Sequence, residues 1–233
     1  VIDASSNDGT KDYLIEMEKE KLIEQFVSED DAGEGHGFNK GISLSRGELV
    51  KFITDDDFFN FDAIRECKHI MLSNDYLDVM IGNVYNTSID DCDNIECEHI
   101  VEKNFRRYLK NGDVFPFTGL SLMVRKTSFT LTGLFYSNII CVDTEFALRI
   151  TEIGAKIGWI NDAIAIRIGN PDSKLEYMNN SHIKEELDRF QYFYNKKYRE
   201  RRNNLFHLFI IKLNLSVRYL IKSIIKIKSL KIY

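Results

Sequence analysis

Short apolar runs alternate along the chain with stretches in which apolar residues recur every three or four positions, a pattern that predicts strands and helices in turn. Val1-Ile2 reads as the end of a strand that turns at Asp3 through Gly9, and a helix follows from Thr10 to Glu20, with Asp8 as its cap. Phe26 to Ser28 is a short strand. Glu29 to Gly37, with three glycines, is a loop, and Phe38 to Leu44 a short helix closed near Gly47. Leu49 to Ile53 is an apolar strand that stops abruptly at Asp55-Asp56-Asp57. Ala63 to Leu72 has helical period and Leu77 to Val84 is strand-like, whereas residues 86–100 are acidic and weakly patterned, predicting a loop or insertion. Further on, Leu120 to Val124 alternates as a strand and Thr144 to Ile153 is helical. Ile157 to Ile168 reads as two short strands and Ser181 to Arg202 as a charged helix. Strands and helices alternating through the first half predict an α/β sheet with much parallel pairing. Ligands of such sheets sit at the carboxyl ends of the strands, where Asp3 and Asp55 to Asp57 fall.

The tail has another pattern. Phe206, Ile210, Leu213, Val217, Leu220, Ile224 and Ile227 form one stripe at helical spacing, and from Leu205 to Tyr233 there are six Lys or Arg and no acid. Cations interrupt the run too often for a spanning segment. The stripe fits a basic amphipathic helix that lies on an anionic membrane surface, pairs with a partner helix or packs on its own domain. The expected division is a folded domain over 1–200 and a helical tail over 201–233.

Composition narrows the classes. A chain of 233 residues with 44% hydrophobic and 29% charged residues can bury a full core and is neither disordered nor low-complexity. The net charge of -5 argues against a nucleic-acid binder. Cys67, Cys92, Cys97 and Cys141 have neither CxxC pairing nor His partners at zinc spacing, and read as reduced thiols of a cytosolic protein. No secretory signal opens the chain, and its start on a strand end raises the expectation of a preceding strand and helix.

Three carboxylates in a row repel one another, and loop acids of this kind often simply face water. An apolar strand that would deliver them into a cleft, with Phe58-Phe59 following, points instead to oxygen ligands for a hard divalent cation whose shell phosphate oxygens complete. Asp3 has two readings of equal weight: an Asx turn, or a carboxylate that accepts hydrogen bonds from a ribose or base. Trp159 reads as core, and His36 as a solvated loop residue or a phosphate contact.

The order of these pieces resembles the family-2 glycosyltransferases of GT-A fold. Val1 to Thr10 is similar to their "VDDGSTDGT" segment, and Ser28 to Gly33 with Phe38 to Ile42 to "SE-D-G…NKGI". Gly47 to Asp57 is similar to the "GEYI-FLDSDD" strand that carries the DXD motif. Gly119 to Val124, Gly133 to Phe135 and Val142 to Arg149 resemble the acceptor-side strand and the "ED-E-LRL" helix. Each piece is degenerate, but their order over residues 1–170 is specific.

The resemblance implies a GT-A, Rossmann-like mixed α/β sheet and transfer of a sugar from a nucleotide-diphosphate donor to a glycan or lipid-linked acceptor. It assigns Asp3, Asp30 and Asp55 to the nucleotide side, and Asp56 with Asp57 to a Mn²⁺ or Mg²⁺ ion on the diphosphate. Asp143 becomes the general base of an inverting reaction; the alternative is an acid favoured at a helix N-terminus by the dipole. Glu145 and Gly119 fall on the acceptor side, with Arg149 a structural partner for Glu145. Thr54 stands where many members carry the first DXD acid, and Phe38 where many carry Arg. The expected setting is cytoplasmic, peripheral at the inner face of the membrane. The competing expectation is a non-catalytic relative that binds nucleotide or docks a partner. A nucleotidyltransferase would show an early glycine-rich basic loop, which the sequence lacks.

Overall fold

The computed structural model describes residues 1–97, 99–169 and 180–206, together with Phe209 and Leu213. Most of the amphipathic tail therefore lies outside the described residues.

The N-terminal strand β1 (Ile2–Asp3) pairs in parallel with β2 (Val27–Ser28), with α1 (Thr10–Lys19) between them. Asp8 accepts hydrogen bonds from the Thr10 amide and hydroxyl, so it closes the turn into α1 as expected. Helix α2 (Glu34–Leu44) packs on β1, with Gly37 and Gly41 facing Ile2. It begins four residues earlier than the apolar period predicts. Gly33, at φ +102°, supplies the turn, and the glycine-rich segment coils into the first helical turns rather than forming a loop.

The main sheet comprises β3 (Leu49–Lys51), β4 (Phe58–Phe59), β5 (Val79–Ser88), β6 (Asp91–Cys97), β7 (Met123–Arg125) and β8 (Ile157–Gly169). Its order is β3-β7-β5-β8-β4, with β6 paired to β5. Within it only β5 and β8 run parallel, so pairing is more antiparallel than strand–helix alternation predicts. Residues 91–97, expected in a loop, form β6, and β5 runs on to Ser88 to meet it. Acidic side chains on an edge strand mask the apolar alternation that signals a strand. β8 is one strand instead of two: its register against β5 shifts after Ile160, where Asn161 and Asp162 bulge out.

Two apolar layers cover the sheet. One joins α3 (Phe61–Ser73) to Met80, Met123, Ile160 and Ile164. The other joins α2, α4 (His99–Asn111) and α6 (Val142–Glu152) to Val50, Val79, Ile81 and Val124, through Phe52, Phe105, Phe135 and Phe146. Trp159 packs against this second layer and stacks on Phe105, with ring centroids 5.4 Å apart. The short α5 (Phe129–Thr132) follows β7, and α7 (Asn180–Tyr194) lies along α6. The charged helix expected over 181–202 is interrupted at Asn195 and resumes over 196–206. Among the described residues no helix is long and apolar enough to cross a membrane.

Candidate active site

Three segments far apart in sequence bring carboxylates within electrostatic reach of one another. The first is the N-terminus of α2. Gly35 is buried there, and a Cβ on it would collide with the Tyr136 carbonyl and press on Val142, so only glycine lets α2 approach the start of α6. Glu34, beside it, is exposed to solvent yet has enough protein around it to be partly desolvated. That setting raises its pKa from 4.5 to about 7: desolvation first, then the negative charges of Asp143 and Asp56. Glu34 thus marks the place where the second and third segments, α6 and the loop after β3, converge. Sequence reading missed it, because a lone Glu in a glycine-rich loop carries no motif.

Asp143 lies in the first turn of α6 and is half-buried. It accepts hydrogen bonds from the amides of Gly119 (3.2 Å) and Thr144 (2.6 Å). A Cβ at Gly119 would make only ordinary contact with that of Asp143. The two residues placed by sequence on the acceptor side and at the base position are therefore neighbours.

The aspartate triplet divides by role. Asp57 is drawn into the fold: Thr54 Oγ1 donates to one carboxylate oxygen at 2.7 Å and the Ile168 amide to the other at 3.0 Å, pinning the loop to the end of β8. Asp55 and Asp56 are exposed, and among the described residues neither carboxylate is held by a hydrogen bond. Of the triplet, Asp56 is the one whose charge reaches Glu34. Beneath the loop, Lys51 Nζ donates to the carbonyls of Phe52 (2.9 Å) and Leu120 (2.7 Å) and lies over the Phe59 ring. Burial pushes its pKa down to about 7.

The other predicted residues have contacts of their own. Asp3 is buried and accepts from the Ser6 amide, Ser6 Oγ (2.5 Å) and Ser28 Oγ (2.7 Å). The two hydroxyls, foremost among these donors, hold its pKa below the ordinary value. The Ser6 contacts are those of a local turn, whereas the Ser28 hydroxyl reaches Asp3 from the neighbouring strand β2. Asp30 is exposed, its carbonyl taking a hydrogen bond from Lys40, which also pairs with Glu29 at 2.9 Å. His36 Nδ1 accepts from the Ala32 amide and so braces the loop. Asn39 clasps Phe135 through both its amide groups, joining α2 to the segment before α6.

Glu145 faces inward. Its carboxylate, 1% exposed, is gripped by Arg149 through two bonds of 2.9 Å and by Tyr194 Oη at 2.5 Å. Arg149 continues to the carbonyls of Thr132 and Leu134 and stacks on Tyr136. From α7, buried Glu186 accepts the amides of Ile140 (2.9 Å) and Cys141 (2.8 Å), the last two residues before α6. Helix α7 therefore clamps α6 at two points, one of them two residues from Asp143. Cys67 and Cys141 are free thiols.

Among the described residues no three His, Cys, Asp or Glu side chains are grouped tightly enough to hold a metal ion by themselves. Asp56 offers one unengaged carboxylate. That suits a hard cation whose remaining ligands are water and substrate phosphate rather than a closed protein cage.

Residues 1–132 match the sequence model of the family described as Glycosyl transferase family 2. No curated protein sequence matches the chain. Among solved structures, the fold is similar to residues 1–349 of TarS from S. aureus in complex with UDP-GlcNAc, with a TM-score of 0.58 and 13% identity. It is similar also to the mannosyltransferase PcManGT from Pyrobaculum calidifontis in complex with GDP-Man and Mn²⁺, with a TM-score of 0.57 and 15% identity. The matches cover 84% and 82% of this chain, but only 64% and 52% of those two. The mixed α/β architecture is thus that of the GT-A glycosyltransferases.

Proposed function

Since the chain belongs to glycosyl transferase family 2, we propose that it transfers a sugar from a nucleotide-diphosphate donor to a glycan or lipid-linked acceptor, inverting the anomeric centre. The observation that carries this reading is the approach of Asp143, bonded to the Gly119 amide, and of Asp56, from separate segments, to Glu34.

In this reading Asp56 would hold Mn²⁺ or Mg²⁺, which when bound would supply positive charge to the diphosphate. The solved PcManGT complex, which contains GDP-Man and Mn²⁺, supports such a donor and cation. Asp55, exposed beside Asp56, and Asp30 face the nucleotide side. Asp143, held by two backbone amides, takes the proton of the acceptor hydroxyl. The hydroxyl oxygen then attacks the anomeric carbon from the face opposite the diphosphate, whose C–O bond breaks and which leaves with the electron pair. Glu145 and Glu186 keep α6 in place, and Asp57 and Lys51 shape the loop that presents Asp56. The reaction belongs to the cytoplasmic side, with the basic tail peripheral at the membrane.

The reading is tested by release of nucleotide diphosphate from UDP-GlcNAc and GDP-Man with Mn²⁺, using water or added glycan as acceptor. Asp143→Asn should keep donor affinity and lower turnover about 100- to 10,000-fold, the usual worth of a general base. Unchanged turnover in Asp143→Asn removes Asp143 as the base. Donor binding without turnover in the unmodified protein would favour the non-catalytic relative.

A further inference from the structure

Strand β3 is apolar except for its last residue. Leu49 and Val50 pack into the two layers that flank the sheet, and Lys51 follows them where packing alone would accept Val or Ile. An ammonium at the end of an apolar strand is costly to desolvate, and burial accordingly drives the pKa of Lys51 down to about 7. The ammonium has three donors and three partners. It donates to the carbonyls of Phe52 at 2.9 Å and Leu120 at 2.7 Å, and it lies 5.0 Å from the centroid of the Phe59 ring.

These partners belong to the two sides of the candidate site. Phe52 and Phe59 bracket the segment that carries Asp55, Asp56 and Asp57, so one side chain meets both roots of that loop. Leu120 belongs to the 3-10 turn Gly119–Ser121, whose first amide donates to Asp143 at 3.2 Å. The turn is stiff. Thr118 Oγ1 accepts from the Leu120 amide at 3.3 Å, Ser121 Oγ donates to the Thr118 carbonyl at 2.9 Å, and the Leu122 amide donates to the Gly119 carbonyl at 3.0 Å. A shift of Leu120 is therefore passed to the Gly119 amide, one residue away. The carbonyls of Phe52 and Leu120 each bear partial negative charge, and the ammonium between them is what draws the loop and the turn together.

We propose that Lys51 is a positioning residue: by tying both roots of the Asp56 loop to the Gly119–Ser121 turn, it sets the spacing between the diphosphate side of the site and the Asp143 carboxylate. The proposal rests on the sugar-transfer reading above and deepens it. In that reaction the base and the leaving diphosphate stand on opposite sides of the anomeric carbon, and a misplacement of about 1 Å costs about 100-fold in rate.

The test uses the full chain. Lys51→Met keeps the length and apolar stem of the side chain and removes the donors. Well below its thermal midpoint, this variant should bind UDP-GlcNAc or GDP-Man with Mn²⁺ nearly as well as the unmodified protein, with kcat lowered about 100-fold. Lys51→Arg, which keeps a cationic donor, should recover part of that loss. In an Asp143→Asn background Lys51→Met should cost far less, because no base remains to be placed. A merely structural lysine would lower the thermal midpoint and leave kcat of the folded protein unchanged. That result, or losses that multiply in full in the double variant, would overturn the proposal. Hydrogen exchange reads the tie without turnover: amides of 53–57 and 119–121 should exchange faster together in Lys51→Met, while β5 and β8 keep their protection. Faster exchange over 53–57 alone would overturn the tie. Absence of turnover in the unmodified protein would overturn the sugar-transfer reading, while the exchange result still decides the tie.

Discussion

Glu34 is a residue whose surroundings move it well away from its ordinary behaviour. Its pKa, raised from 4.5 to about 7, means that the folded protein keeps a proton which the unfolded chain releases. Stability from this group is full below about pH 4.5 and is lost as pH rises through about 7. Glu34→Gln cannot lose that proton. The difference in thermal midpoint between Glu34→Gln and the unmodified protein should therefore grow in favour of the variant from pH 4.5 to 7 and level off above. A difference independent of pH would show that Glu34 does not face Asp143 and Asp56. The same scale shows what sequence can and cannot reveal. Asp56 and Asp143 were legible because each falls within a recognisable run. The inward turn of Asp57 and Glu145 was not, because the partners that engage them, Ile168 and Tyr194, are distant in sequence and unmarked by any pattern.

Elements, rather than single residues, set the distance between the acids. The approach of α2 to α6 depends on Gly35, so Gly35→Ala should destabilise the fold by about 1–3 kcal/mol through overpacking. Denaturant unfolding would show it as a lower midpoint. The clamp from α7 makes a different prediction. Glu186→Ala leaves the Ile140 and Cys141 amides without their acceptor, at about 1–3 kcal/mol, and frees the turn that leads into Asp143. Hydrogen exchange should rise over 139–144 while β5 and β8 keep their protection. In Glu186→Gln one amide oxygen can still accept both bonds, and exchange should stay nearer the original; equal exchange in all three proteins would contradict the clamp. Strand–helix alternation revealed the helices and inner strands, whose apolar period is set by burial. It missed β6 and α4: the first is an acidic edge strand, and the second carries more charge than apolar surface.

At the scale of the molecule, an α/β order legible in the sequence became a mostly antiparallel sheet. Local pattern fixes where strands lie, and long-range pairing fixes their direction. The central claim remains that one recess takes a nucleotide sugar together with a cation. A ligand bound only by the folded state raises the unfolding temperature, so thermal unfolding with UDP-GlcNAc or GDP-Man, with and without Mn²⁺, reads that claim directly. The unmodified protein should be stabilised by at least one donor, and more so with Mn²⁺, while in Asp56→Ala the Mn²⁺-dependent part disappears. An equal Mn²⁺-dependent shift in Asp56→Ala, or no shift with either donor in the unmodified protein, would contradict the account.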